Sequence, residues 1–408
     1  MNIEEFVEKY KVERHNSTSL KWDLLEERFG DADLLAMWVA DMDFRTSDSI
    51  TEALTKRVNH GVYGYSFVPQ SYFDAYFNWM EERYSFQLKK EWIRYSTGVV
   101  AALYWFINAF TEPEDSVIIL TPVYYPFHNA VRDCGRKLIT CPLNNDNGYF
   151  TFDYDRFEQA IIDSRAKLYI HCSPHNPAGR VWSEEEQDKL FEICKKHNVL
   201  IVSDEIHQDF TFDDHKHIPA AVVKDGKYRD LIITVNSASK TFNLAALIHS
   251  NIIITDDILR EKYDKYIKTV NQTDFNTMGL TATEAGYSSG GEWLESVKSV
   301  IYSNFVYARD TLNKELPEIT VTPMEGTYLM FIDLNKIIPK EKTKEFIQDR
   351  CRLAVDFGEW FGTDYKGYVR LNLATTPENV KIAITNIIRE AKLLKENDYM
   401  NVPSLLSI

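Results

Sequence analysis

Asn176, Asp204 and Lys240 each come shortly after a run of apolar residues, and together they could act on one ligand. A lysine amine can form an imine with an aldehyde, and a carboxylate stabilises the protonated form of a pyridine nitrogen that faces it. A protonated pyridine ring withdraws electrons from a neighbouring carbanion. These residue types therefore indicate a site for a cationic heterocycle that is bound as an imine.

Two further segments could bind a phosphate group beside this amine. Ser237 and Ser239 lie just before Lys240 and offer hydroxyl groups. The segment 95–100 passes from a strand-like pattern into a helical one, which places Val99 and Val100 at the start of a helix. Backbone amides at a helix N-terminus bind anions, so this segment predicts an anion site.

The segments that carry these residues alternate with helical patterns. Apolar runs predict strands at Ser116–Leu120, Lys167–Cys172, Val199–Ser203, Leu231–Val235 and Asn251–Ile254. Between them, Tyr125–Asp133 and Ser183–His197 have helical patterns, and Ser183 and Glu186 predict a capping box at the second helix. This alternation predicts a largely parallel sheet with helices on both faces. Ligands bind at the carboxyl ends of such strands, where the three polar residues stand.

The pattern changes after residues 288–291, and a second, smaller α+β domain is expected there. Its predicted elements are a helix at Trp293–Leu316, strands near Ile319–Pro323 and Tyr328–Asp333, and a helix at Pro377–Glu396. Residues 1–45 do not follow the alternating pattern. We therefore expect residues 1–45 to form an arm that packs with the small domain, residues 46–288 the large domain, and residues 289–408 the small domain.

Composition excludes several classes of protein. The 46 basic and 61 acidic residues give a net charge of −15, which disfavours nucleic-acid binding. The longest apolar run, Val99–Ile107, is too short to cross a membrane, and the acidic start of the chain does not match a signal peptide. The five cysteines form no C-x-x-C pair, which argues against disulfides and zinc. His215 and His217 lie in a polar segment and are not expected to bind metal. We expect a cytoplasmic protein.

Several motifs resemble those of fold-type-I pyridoxal 5'-phosphate (PLP) enzymes in the class I/II aminotransferase superfamily. They are Ser173-Pro174-x-Asn176-Pro177-x-Gly179, the segment Ser203–His207 and the segment Ser239–Asn243. The segments Trp38–Phe44, Tyr63–Ser66 and Tyr368–Asn372 are similar to the MalY/PatB group of cystathionine β-lyases and C–S lyases. The resemblance implies an α/β, aspartate-aminotransferase-like fold with a mostly parallel central sheet and a smaller α+β C-terminal domain.

The resemblance also implies PLP as the cofactor and gives matching residues a role. Lys240 matches the lysine that binds PLP as an imine, and Asp204 matches the partner of its pyridinium nitrogen. Asn176 matches the residue that bonds the cofactor's 3-oxygen, and His207 is expected on the same side. Tyr124, rather than Tyr125, matches the aromatic residue that stacks on the ring. The phosphate contacts are assigned to Val99, Val100, Ser237 and Ser239.

Four further positions follow from the same match. Arg370 corresponds to the arginine that binds the substrate's α-carboxylate, for which a planar guanidinium is suited. Tyr65, rather than its neighbour Tyr63, corresponds to a tyrosine that reaches the phosphate in the other subunit, which implies a homodimer with shared sites. Ala40 and Asp41 are expected to contact the amino-acid substrate.

The activity implied by the resemblance is β-cleavage of sulfur amino acids such as cystathionine or cysteine to pyruvate, ammonia and a thiol. The residues themselves support a carbanion at Cα, and they do not choose between elimination and transamination. An aminotransferase and a PLP-binding regulatory protein with weak lyase activity therefore remain alternatives. The chain departs from the usual motifs at Ala178, Leu244–Leu247 and Val355–Gly358, which affects the shape of the substrate pocket.

Overall fold

A computed structural model describes residues 1–272 and 274–400 of the chain, with side chains described up to Glu396. Residues 401–408 of the predicted small domain lie outside the described residues. Within the described part, no helix combines the length and the apolar character that crossing a membrane requires.

The largest sheet has seven strands and carries the predicted ligand-binding residues at one edge. In order across the sheet they are Ile93–Ser96, Ser250–Ile254, Ile232–Asn236, Leu200–Asp204, Leu168–Cys172, Ser116–Thr121 and Lys137–Pro142. Ser250–Ile254 is antiparallel to both of its neighbours, and the other adjacent pairs are parallel. The prediction of a mostly parallel sheet is confirmed.

Helices cover both faces of this sheet, as the alternation of elements predicted. Ile118 and Ile201 point into one hydrophobic cluster, whereas Val117, Ile119 and Val202 point into a second. Successive side chains of a strand face opposite sides, so the two clusters are the two covered faces. This explains why the strands read as continuous apolar runs rather than as alternating patterns.

The helices between and after these strands begin close to their predicted positions. Tyr125–Asp133 has the predicted bounds, and Ser183 caps the helix Glu184–Lys196 through the predicted capping box with Glu186. The other α-helices are Ile3–Tyr10, Leu20–Asp23, Leu25–Phe29, Asp48–His60, Gln70–Tyr84, Val99–Phe110, Tyr154–Ser164, Val223–Gly226, Ala238–Thr241, Asp257–Thr269, Thr277–Ser289, Gly291–Glu315 and Pro377–Met400.

A smaller antiparallel sheet lies in the C-terminal part of the chain. Its strands, in order across the sheet, are Thr320–Val321, Leu329–Asp333, Tyr368–Asn372 and Asp356–Phe357. The first strand is shorter than predicted, and the predicted segment ends at Pro323, which has no N–H to donate to a ladder. A separate hairpin joins Asn144–Asp146 to Tyr149–Thr151.

The N-terminal arm contacts this C-terminal part at several places, two of which are a strand pairing and an aromatic contact. Leu35–Ala36 pairs in parallel with Leu353–Ala354. The ring of Phe6 lies 5.9 Å from that of Trp293, which is in the long helix Gly291–Glu315. The domain boundaries at residues 45 and 288 stay predictions.

Candidate active site

A cavity of about 250 Å³ lies at the carboxyl ends of the central strands of the large sheet. Nine of the predicted site residues line it, namely Ala40, Val99, Val100, Tyr124, Asn176, Asp204, His207, Ser239 and Lys240. These residues come from segments up to 200 positions apart (Ala40 and Lys240). The fold therefore brings most of the predicted constellation to one place.

Arg370 adjoins the cavity through Asn176. Its Nη1 donates to Asn176 Oδ1 at 2.9 Å, and its Nη2 donates to the carboxylate of Asp356. The Arg370 side chain is buried, and its Nε has no hydrogen-bond partner within the described residues. A buried guanidinium with free N–H groups beside the cavity is suited to a carboxylate ligand.

Ser237 and Asp41 are not brought into the cavity. The Ser237 hydroxyl donates to the His249 carbonyl at 2.7 Å and accepts from the Ser239 amide at 3.1 Å, so it caps the short helix that carries Lys240. The two carboxylate oxygens of Asp41 accept from Arg14 at 2.8 and 2.9 Å. Both side chains form hydrogen bonds within the protein, and their expected phosphate and substrate contacts stay predictions.

Tyr65 also lies away from the cavity of its own chain. Its side chain is fully exposed, and it borders surface depressions together with Gly64, Ser66 and Thr277. The structure of one chain therefore shows no contact between Tyr65 and the residues that surround Lys240.

The start of the helix Val99–Phe110 forms one end of the cavity. Gly98 precedes it with φ +153°, a backbone conformation that residues with a side chain rarely adopt. The helix has no side-chain cap, so the amides of Val99 and Val100 are available to a ligand. Ser239, His249 and these amides line the same cavity, and the arrangement fits an anion.

Asp204 presents a buried carboxylate that has no cationic partner within 4 Å in the described part of the chain. Its oxygen accepts only from the Ile206 amide, at 3.0 Å. Burial raises the pKa of the Asp204 carboxyl to about 7, and the charge of Glu205 acts in the same direction. A cation placed against this carboxylate would lower its pKa again, so the group is suited to a protonated ring nitrogen.

Lys240 presents a half-buried side chain whose Nζ donates to the Ala40 carbonyl at 2.6 Å. Burial lowers the pKa of Lys240 to about 8, and the charge of Arg370 acts in the same direction. Near pH 7, the neutral fraction of the Lys240 amine is therefore larger than that of an exposed lysine. The neutral amine is the form that attacks an aldehyde or accepts a proton.

Tyr124 and His207 line the same cavity as Asp204 and Lys240. Tyr124 is half-buried and faces the cavity, whereas Tyr125 is turned toward Trp360. His207 is buried beside Tyr328, and its Nδ1 has no hydrogen-bond partner in the described residues. Burial and the charges of Lys240 and Arg370 hold the pKa of His207 well below its usual value, so the ring is neutral.

Comparison with known proteins agrees with this geometry. A profile of the family described as Aminotransferase class I and II matches residues 34–387. The chain belongs to this family. It is 38% identical over 376 residues to the cystathionine beta-lyase PatB of Bacillus subtilis (strain 168). The matched region covers 91% of this chain and 97% of PatB.

Two solved structures of the family are similar to the whole chain. Cystalysin from Treponema denticola, which contains PLP, has a TM-score of 0.90 and 34% identity, and the match covers 94% of this chain and 98% of that one. A PLP-bound C–S lyase from Staphylococcus hominis has a TM-score of 0.88 and 32% identity, with 96% and 98% covered. The predicted fold-type-I architecture is thus confirmed.

The residues around the cavity fit the PLP that both of these structures contain. The uncapped helix start fits its phosphate, Lys240 fits its aldehyde, and Asp204 fits its ring nitrogen. The roles of the individual residues stay predictions.

The N-terminal arm contributes a charged cluster that sequence reasoning missed. The Lys21 amine is fully buried and donates to Asp43 at 2.9 Å, and Arg14 holds Asp41 and Asp43. These contacts fix the segment that presents the Ala40 carbonyl to Lys240. The segment Trp38–Phe44 was recognisable as a motif in the sequence. Its partners Arg14 and Lys21 lie 20 to 30 positions away, and no motif marks them.

Two buried carboxylates were also missed. Asp209 accepts from Trp79, from Tyr84 and, at 2.6 Å, from Thr241, the residue after Lys240. Asp356 pairs with Arg370 across adjacent antiparallel strands. The departure from the usual motif at Val355–Gly358 was the available signal for Asp356, whereas Asp209 had none.

Asp356→Asn should weaken the binding of amino-acid substrates more than it slows turnover. The amide keeps the size of the side chain but removes the charge that orients Arg370, and a hydrogen bond between charged groups contributes about 1.5–3 kcal/mol. We expect KM to rise about tenfold or more while kcat changes by less than about threefold. Steady-state kinetics measures both. Asp364→Asn, an exposed neighbour, is the control, and an unchanged KM in Asp356→Asn would contradict this role.

Proposed function

We propose that this protein is a PLP-dependent β-lyase that cleaves the C–S bond of sulfur amino acids such as cystathionine or cysteine. The observation that carries the proposal is a cavity lined by the amine of Lys240, the buried carboxylate of Asp204 and the side chain of Asn176. Asn176 in turn accepts a hydrogen bond from Arg370. The chain's likeness to PatB and to the C–S lyase of Staphylococcus hominis supports elimination as the reaction.

The residues of the chain divide the work between binding and proton transfer. Bound PLP supplies an electron-withdrawing ring that accepts the electron pair released at the substrate's Cα. Asp204 holds the proton on the ring nitrogen, and the helix start at Val99 and Val100 holds the phosphate. Arg370 and Asn176 orient the substrate's α-carboxylate.

Lys240 acts as the base in this scheme. Its amine, with a pKa of about 8, takes the proton from the substrate's Cα. The C–S bond at Cβ then breaks, and the thiolate leaves with the electron pair and gains a proton. Water hydrolyses the released 2-aminoacrylate to pyruvate and ammonia. A thiol, pyruvate and ammonia are therefore formed in equal amounts.

An aminotransferase reaction is the second candidate, because the same residues remove the same proton. Transamination would release no thiolate, and it would consume a keto acid. The match to the Aminotransferase class I and II family and the residues of the cavity support both reactions. Product analysis separates them.

Incubation of the holoenzyme with L-cystathionine, with no keto acid present, should give pyruvate and thiol in a one-to-one ratio. Lys240→Ala should lose on the order of a thousandfold or more in turnover, because the group that attaches the cofactor also moves the proton. Lys268→Ala, an exposed lysine, is the matched control. Product formation that requires a keto acid would favour the aminotransferase instead.

We also propose a cytoplasmic homodimer in which each active site uses residues of both chains. Tyr65 and Phe67 are strongly exposed, as are Val62 and Tyr63 in the same segment, and burying such a patch favours association. A two-fold dimer would present Tyr65 of each chain to the partner's phosphate site. The odd number of cysteines without a C-x-x-C pair supports a reducing compartment.

Mixed dimers test the shared site. When inactive Lys240→Ala chains are combined with Tyr65→Phe chains, half of the sites in each heterodimer carry both changes and half carry neither. Activity should then recover to about half of the wild-type value per heterodimer, because one intact site reappears. Absence of recovery after confirmed subunit exchange, or a fully active monomer in sedimentation, would refute site sharing.

A further inference from the structure

The side chain of His249 lines the cavity, and the proposed mechanism gives it no role. The next residue, Ser250, pairs with Ser96 in the large sheet, and the Ser96 hydroxyl donates to the Gly98 carbonyl at 3.0 Å. Gly98 directly precedes the helix Val99–Phe110. These contacts place His249 beside the helix start, at the end of the cavity that is assigned to the cofactor's phosphate.

This end of the cavity is short of positive charge for a phosphate. Within the described part of the chain, Lys240 is the only lysine or arginine that lines the cavity, and it is assigned to the aldehyde. The other donors at the phosphate end are uncharged, namely the amides of the helix start and the hydroxyls of Ser239 and Ser250. A phosphate monoester carries close to two negative charges above about pH 6. A side chain that can become cationic would therefore stabilise it.

The contacts of the His249 ring leave one of its nitrogens for a ligand. Nε2 lies 2.8 Å from the hydroxyl of Tyr72, and this hydroxyl donates its proton to Asn251 Oδ1 at 2.6 Å. Because a phenol has a single proton, its oxygen accepts from Nε2–H of His249, and Nδ1 stays available. The Tyr95 ring stacks on the imidazole at 5.6 Å. Gly279, which has no side chain, closes the space behind it, since an added Cβ would lie 2.7 Å from Cβ of His249.

The groups around His249 leave its ring neutral near pH 7. Burial lowers the pKa of His249 to about 4. Burial also raises the pKa of Tyr72 and of Tyr95, so both phenols keep their protons and carry no charge. The other titratable side chains that line the cavity are Tyr124, Cys172, Asp204, His207 and Lys240. Of these, the carboxylate of Asp204 is assigned to the ring nitrogen. A dianion beside Nδ1 would stabilise the imidazolium and raise the pKa of His249.

We propose that His249 binds the cofactor's phosphate through Nδ1 and takes up a proton from solvent as it does so. Nε2–H continues to donate to Tyr72, Nδ1–H donates to a phosphate oxygen, and the imidazolium pairs with the dianion. One proton moves from solvent to Nδ1, and no covalent bond of the phosphate changes. Because binding takes up a proton, the cofactor is held more tightly as the pH falls toward about 6. The inference rests on PLP as the cofactor, whichever reaction follows.

Calorimetric titration of the full-length apoprotein with pyridoxamine 5'-phosphate measures this proton. The ligand has the phosphate but no aldehyde, so it forms no imine with Lys240. Titrations at about pH 8, in two buffers of different ionisation enthalpy, give the number of protons taken up. We expect the wild type to take up about one proton more than His249→Asn, and its affinity to fall up to about tenfold more per pH unit. His128→Asn, a buried histidine that does not line the cavity, is the matched control and should behave as the wild type.

NMR of the holoenzyme with nitrogen-15 histidine gives a second measurement that needs no variant. At about pH 8, one of the 10 histidine rings should be protonated with the cofactor bound and neutral after its removal. Equal proton uptake in the wild type and His249→Asn, or no ring whose protonation follows the cofactor, would overturn the proposal. Failure of the apoprotein to bind pyridoxamine 5'-phosphate would instead overturn the cofactor site itself, together with the inference that depends on it.

Discussion

Asp204 is buried and Lys240 half-buried at the carboxyl ends of two adjacent strands, and within the described part of the chain they form no ion pair with each other. Burial acts on both, raising the pKa of Asp204 to about 7 and lowering that of Lys240 to about 8. Keeping two ionisable groups away from water without partners of opposite charge costs free energy. A ligand that brought a protonated ring nitrogen to Asp204 and an aldehyde to Lys240 would offset that cost, which is the role proposed for the cofactor.

Much of the surrounding structure serves to keep these two groups apart and in place. Asp204 ends a central strand, and Lys240 follows the neighbouring one, so the parallel sheet fixes their spacing. Asp209 anchors the turn of Lys240 through Thr241, and the N-terminal arm holds the Ala40 carbonyl against the amine. Such contacts restrict the geometry of the proton transfer, for which small displacements are costly.

The sequence predicted the strands and the residues at their ends because long apolar runs and capping motifs are local signals. It did not predict that Ser250–Ile254 runs antiparallel, since an apolar run carries no direction. The engagement of Asp41 by Arg14, of Ser237 by His249 and of Asp356 by Arg370 also escaped prediction, because each contact depends on a partner outside the motif. The types of the residues and their positions in motifs were enough to locate the site in the sequence. The direction in which each side chain points could be known only from the folded structure.

The protonation state of the cofactor's ring nitrogen tests the central claim most directly. With PLP labelled with nitrogen-15 at the ring, NMR of the holoenzyme distinguishes a protonated from an unprotonated nitrogen. We expect a protonated nitrogen in the wild type from about pH 6 to about pH 9, and an unprotonated one in Asp204→Asn over the upper part of that range. An unprotonated nitrogen in the wild type near neutral pH, or the same titration in both proteins, would contradict the role assigned to Asp204.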